Sequence, residues 1–202
     1  MLPYVSDKYR VSSFLIAVGH ERTANFINFL VLKDKPLVRG AICVSPKFSE
    51  NMKGYIVDYF KKSKNRISYA ISTSQKDFES IYQDVLSVSK SLDSIDNKYL
   101  NFKSIVLKDE NHYVVPSITI PKSIKNIYSK YSDIDKIEYD SIISKLETSP
   151  IKYLTDKYDL IKDFYGIEKK ISVNDFMAIE KYIETNEKYS LYNDLDCLIY
   201  TS

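Results

Sequence analysis

Tryptophan is absent from this 202-residue chain, glycine occurs four times, and cysteine and histidine twice each. Two cysteines as far apart as Cys43 and Cys197 make neither a disulfide framework nor a metal-ligand spacing, and two histidines add too little for a zinc site. With no other ligand cluster or phosphate-cradling motif, no metal and no cofactor are expected. Cys43 lies inside an apolar run and reads as a buried free thiol. Long hydrophobic runs are also missing: nothing approaches the roughly 20 apolar residues of a membrane helix. The first residues, Met1 to Asp7, lack the basic start and apolar stretch of a signal peptide, so the chain as given is expected in the cytoplasm. An excess of one charge is missing too. Twenty-nine basic and 27 acidic residues leave a net charge of +2, spread along the chain, which excludes a concentrated field for nucleic acid or anionic lipid.

What is present is the 44% hydrophobic content of an ordinary globular protein, enough for one domain and a small appendage. Four β-branched runs punctuate the first two-thirds: Phe14–Val18, Ala41–Val44, Ile67–Ser72 and Phe102–Leu107. A helix-periodic segment follows each. Thr23–Leu32 is apolar almost all round, which predicts a helix buried on several sides. Asn51–Lys62 and Phe78–Ile95 place apolar residues at three- and four-residue spacings. Val114–Tyr131 closes the series, with Pro116 and Pro121 disturbing its start. Strands that are nearly continuous apolar runs, alternating with helices, argue for a parallel sheet covered on both faces. The division predicted is a core over residues 1–131 and a helical extension over 132–202. In the extension, Ser149-Pro150 opens a helix that Gly166 closes. Ser172-Val173-Asn174-Asp175 resembles a capping box before Phe176–Glu184, and a last helix is expected near Leu191–Tyr200.

The candidate chemistry sits where strands end. The first strand runs into Gly19-His20-Glu21-Arg22-Thr23 and then directly into an apolar helix. The second ends at Ser45-Pro46. The third ends at Thr73-Ser74-Gln75-Lys76-Asp77-Phe78-Glu79, with Asp77 or Glu79 as a candidate acid, Asp77 also reading as a helix N-cap. The fourth leads into Lys108-Asp109-Glu110-Asn111-His112-Tyr113.

This ordered set resembles the enterochelin-esterase-like family of the α/β-hydrolase superfamily. Its nucleophile sits on a sharp Gly-x-Ser-x-Gly turn between a buried strand and a helix, and its triad follows the chain order nucleophile, acid, histidine. The resemblance implies a partial α/β-hydrolase fold: about four parallel strands with helices on both faces, plus an all-helical C-terminal extension. It places Glu21 at the nucleophile position, Asp77 at the acid position and His112 at the base position, with the Arg22 backbone N–H as one oxyanion donor. Two residues depart from the pattern: Glu21 stands for the serine and Thr23 for the last glycine. The family's earlier strands and the loop carrying its other oxyanion donor have no counterpart before Phe14, so a chain truncated at the N-terminus is expected.

Serine attacks because a neighbouring imidazole takes its proton. A glutamate has no hydroxyl proton to give, and a carboxylate beside His112 favours imidazolium over the free base. Aspartate nucleophiles do occur in this superfamily, but glutamate is one methylene longer and would overshoot by roughly 1.5 Å. Loss of one oxyanion donor costs on the order of 10²–10³ in rate by itself. The leading expectation is therefore a degenerate esterase-family protein, a pseudoenzyme with little or no serine-esterase activity on small esters. A rewired hydrolase using Glu21 with His112 is the second. The third is a binding or scaffold module acting through its tyrosine-rich tail or through the uncovered sheet edge at Phe14–Val18, where a homodimer would form.

Overall fold

A computed structural model describes residues 2–201, and the side chains of residues 4–198. The chain divides into two compact units, Met1–Tyr128 and Ser129–Ser202.

The first unit is built on a four-stranded, wholly parallel sheet of β1 (Ile16–His20), β2 (Gly40–Val44), β3 (Ile67–Lys76) and β4 (Leu100–Asn111), lying side by side in chain order. Its helices are α1 (Leu2–Lys8), α2 (Arg22–Val31), α3 (Met52–Lys62), α4 (Glu79–Asp93) and α5 (Val115–Ile127). Consecutive parallel strands must return to the same end of the sheet, so each connection carries a helix. The two middle strands are buried on both faces, apolar throughout β2 and on one face of β3, whose other face carries Ser68, Ala70 and Ser72. On one face Ala41, Cys43, Ile67, Tyr69 and Ile71 pack against Ala24, Ile27 and Val31 of α2, Ile56 and Phe60 of α3, and Val85 and Leu92 of α4. The opposite face meets α5 across a small polar seam, where the Ser72 hydroxyl donates to Thr119 Oγ1 at 2.9 Å. Each fully buried Ile or Phe contributes about 1.5–3 kcal/mol, which anchors the sheet at β2 and β3.

The two edges differ in character. The outer edge strand β4 carries Lys103, Lys108 and Asp109, charges that guard an unpaired ladder. β1 reads Ile-Ala-Val-Gly-His, pairs with β2 alone, and leaves Val18 48% exposed. The helix after it departs from the expectation of burial on several sides. Ala24, Ile27, Asn28 and Val31 form one buried face of α2, while Phe26 is 61% and Phe29 50% exposed. The cause is the position of β1: a helix seated over an edge strand contacts the sheet on one side only.

In the second unit α7 (Pro150–Tyr165), α8 (Val173–Thr185) and α9 (Tyr192–Thr201) follow a short α6 (Lys136–Ser141). Ser149 and Ser172 cap α7 and α8 as predicted, and Gly166 ends α7 in the left-handed region. Ile143, Leu154, Ile179, Tyr182, Ile183 and Leu195 form the core. The fully buried Asp175 pins it together. One of its oxygens accepts from the Ile134 N–H at 2.5 Å, and the other from the Tyr158 hydroxyl at 2.8 Å. That hydroxyl in turn accepts from the Ser172 N–H at 2.7 Å, so no partner in this buried network is left without a hydrogen bond.

Candidate active site

Each of the four strands is followed, at its carboxyl end, by one residue of the candidate site: Glu21 after β1, Ser45 after β2, Asp77 after β3 and His112 after β4. Parallel alignment brings these four ends to one edge of the sheet, where open α/β sheets carry their ligand crevice.

The turn after β1 is strained. Glu21 has φ 56° and ψ −114°, a conformation that L residues enter at a cost and that marks functional turns. Its N–H donates to Val44 O at 3.0 Å, so the β1–β2 ladder continues to the tip of the bend. The bend is possible because residue 19 is glycine: a Cβ there would stand 2.7 Å from Ala24 N and from Thr23 C and O. Thr23 closes the turn. Its hydroxyl accepts from the His20 N–H at 2.9 Å and donates to His20 O at 2.7 Å, stapling the bend to the first turn of α2.

At the other side of the site, His112 Nδ1 lies 2.6 Å from Asp77 Oδ1. The His112 residue is 5% exposed and the Asp77 side chain not at all. β3 loses register with β4 between Ser74 and Lys76, directly before Asp77, and a bulge at that point re-aims the carboxylate. Asp77 does not cap α4, against the sequence reading. The N-cap is Phe78, which makes no side-chain cap, and Asp77 spends its oxygens on His112, Ser45, Thr73 and the Phe78 N–H. Burial alone would raise the Asp77 carboxyl; the hydrogen bonds from Ser45, His112, Thr73 and the Phe78 amide outweigh it and hold the group below the usual carboxylate range. Glu79, the alternative acid, lies outside the cluster and accepts from Gln83 on the surface of α4.

The bend and the histidine loop meet. The His20 ring lies against the His112 ring with centroids 4.3 Å apart, and Phe78 and Tyr113 stand at 4.7 and 5.2 Å from the same imidazole. Among the described residues, the bond to Asp77 is the one hydrogen bond on the His112 ring, so Nε2 is unoccupied by protein. The Glu21 carboxylate makes no hydrogen bond or ion pair with His112 or with Arg22. Ser45 and Thr73 were not legible as parts of the site, although the place of Ser45 immediately after a strand was a usable signal. Cys43, in contrast, is as expected: burial pushes its thiol up to about 12, which makes it inert.

His20 gives the site a pH dependence. Burial, and after it the neighbouring His112 imidazole, push its pKa below the ordinary value, while Asp77 and Glu21 pull weakly the other way. A histidine depressed in the folded state takes its proton first in the unfolded chain, so acid favours unfolding from about pH 6.5 downward. The depressed Asp77 acts in the same direction lower down, near and below pH 4. Urea titrations from pH 7 to 5 are expected to show falling stability, and His20→Gln to flatten that part of the curve. A slope unchanged by the substitution would remove His20 from this role.

No family model matches the chain, and no curated protein matches it. Solved structures do. An uncharacterised protein from Capnocytophaga ochracea superimposes with a TM-score of 0.87 at 18% identity, over 100% of this chain and 57% of its own. An IroE-like serine hydrolase from Shewanella oneidensis gives 0.68 at 14% identity over 99% of this chain and 63% of its own. The fold is that of an α/β-hydrolase. A third match, the BES protein from Bacillus cereus, gives 0.54 at 15% identity over 61% of this chain and 48% of its own. The chain thus spans less than two thirds of the length of each of these structures. No helix among the described residues is long and apolar enough to cross a membrane.

Proposed function

We propose that this chain is a divergent esterase-like hydrolase in which the acid–histidine pair persists and serine-type ester hydrolysis is lost. The observation that carries the reading is the 2.6 Å Asp77–His112 contact in a site whose elbow residue is Glu21. Such a pair orients an imidazole to take a proton from a nucleophile placed at its other nitrogen. In place of a hydroxyl the elbow carries a carboxylate, which has no proton to transfer. A small ester carbonyl at the bend would meet the Arg22 backbone N–H as an oxyanion donor, but no activated hydroxyl.

A rewired site, with Glu21 as nucleophile or base beside His112, calls for those two groups within hydrogen-bond reach. They make no such contact, which favours the silent reading. The test is turnover of p-nitrophenyl acetate by the purified chain. The rate is expected to equal that of buffer and to be the same in His112→Ala; turnover that disappears with His112 would overturn the proposal.

A further inference from the structure

Ser45 occupies a position that a tight turn alone would assign to glycine. Its φ is 44°, in the left-handed region that costs an L residue energy, and the residue is fully buried. Its N–H is already satisfied, donating to Ser72 O at 2.7 Å as β2 ends. What serine provides here and glycine does not is a hydroxyl, and that hydroxyl donates to Asp77 Oδ2 at 2.5 Å. Thr73 Oγ1 donates to the same oxygen at 2.8 Å. The other oxygen, Oδ1, receives the Phe78 N–H at 2.8 Å and faces His112 Nδ1 at 2.6 Å.

We propose that Ser45 is a positioning residue for the acid–imidazole pair: its hydroxyl clamps the oxygen of Asp77 that His112 does not use, and so fixes the rotation of the carboxylate. The terminal torsion of an aspartate is broad and nearly two-fold when unrestrained. With donors on both oxygens, rotation breaks the Ser45 and Thr73 bonds together with those to His112 and Phe78. A fixed Oδ1 holds a proton of His112 on Nδ1 and turns Nε2 toward the bend. The remaining groups around the imidazole are the rings of His20, Phe78 and Tyr113. Strain in the main chain at Ser45 is thereby exchanged for order in the site.

This inference rests on the reading of Asp77 and His112 as the persisting pair, and one experiment separates the two. The full chain contains two histidines, so ¹⁵N and ¹H spectra of its imidazoles are assignable with His20→Gln. The parent chain is expected to show a slowly exchanging Nδ1–H on His112. Ser45→Gly relieves the backbone strain and removes the hydroxyl. It is expected to keep the amide spectrum of the fold, to lose that slowly exchanging Nδ1–H, and to raise the titration midpoint of the Asp77 carboxyl carbon. A turn-forming role alone would leave both readouts unmoved, because glycine suits the turn better than serine. Retention of the Nδ1–H and of the Asp77 midpoint in Ser45→Gly overturns the clamp. Absence of the Nδ1–H in the parent chain overturns the pair itself. Ser45→Ala, read in the same way, decides the matter if the glycine variant fails to fold.

Discussion

Glu21→Ser is expected to raise p-nitrophenyl acetate turnover about 10²-fold above the parent chain, the lower end of what a positioned general base contributes. The bend needs no rebuilding for this. Its φ of 56° and ψ of −114° belong to the main chain, held by the Gly19 contact with α2 and the Thr23 staple. Serine is shorter than glutamate, so it enters without a clash. His112 is already paired with Asp77, and its Nε2 carries no hydrogen bond among the described residues. The gain is expected to vanish in Glu21→Ser/His112→Ala. A folded Glu21→Ser chain with the parent rate would show that more than the nucleophile has been lost.

Gly19→Ala is expected to lower stability by about 3 kcal/mol, the upper part of the usual range for overpacking. The atoms a new Cβ meets at 2.7 Å are the Ala24 nitrogen and the Thr23 carbonyl carbon and oxygen. All are main chain in the first turn of a helix whose buried face packs on the sheet, so none can step aside as the end of a long side chain would. Relief requires lifting the start of α2, which also breaks the Thr23 bonds to His20. Thr23→Ala removes those bonds alone and is expected to cost about 1 kcal/mol. Urea midpoints of the two variants measure the difference. A Gly19→Ala midpoint equal to that of the parent chain would mean that the turn is looser than its geometry.

The placement of the elements was largely legible in the residues. Nearly continuous apolar runs at 41–44 and 67–72 indicated strands buried on both faces, and they are the interior strands β2 and β3. The edge strands were found less accurately. The run Phe14–Val18 became Ile16–His20, and Phe102–Leu107 grew to Leu100–Asn111, because pairing with one neighbour, and not hydrophobicity, decides where an edge strand stops. Helices α1 and α6 escaped notice, being short, with too few turns for a periodic pattern to register.

Sequence alone determined the alternation of strand and helix, the sharp turn around Glu21, the caps at Ser149 and Ser172, and the appearance of Asp77 and His112 at strand ends. These depend on residues a few positions apart, and backbone sterics and side-chain period act over that range. Tertiary structure decided that Asp77 and not Glu79 meets His112, that Ser45 and Thr73 hold the acid, that His20 stacks on the second imidazole, and that α2 is buried on one face. The contacts among His20, Ser45, Asp77 and His112 join segments 32 to 92 residues apart, and the one between Thr73 and Asp77 spans the bulge that re-aims the carboxylate. Their outcome is set by sheet register and by which strand lies at the edge, and neither is written in any single segment of the chain.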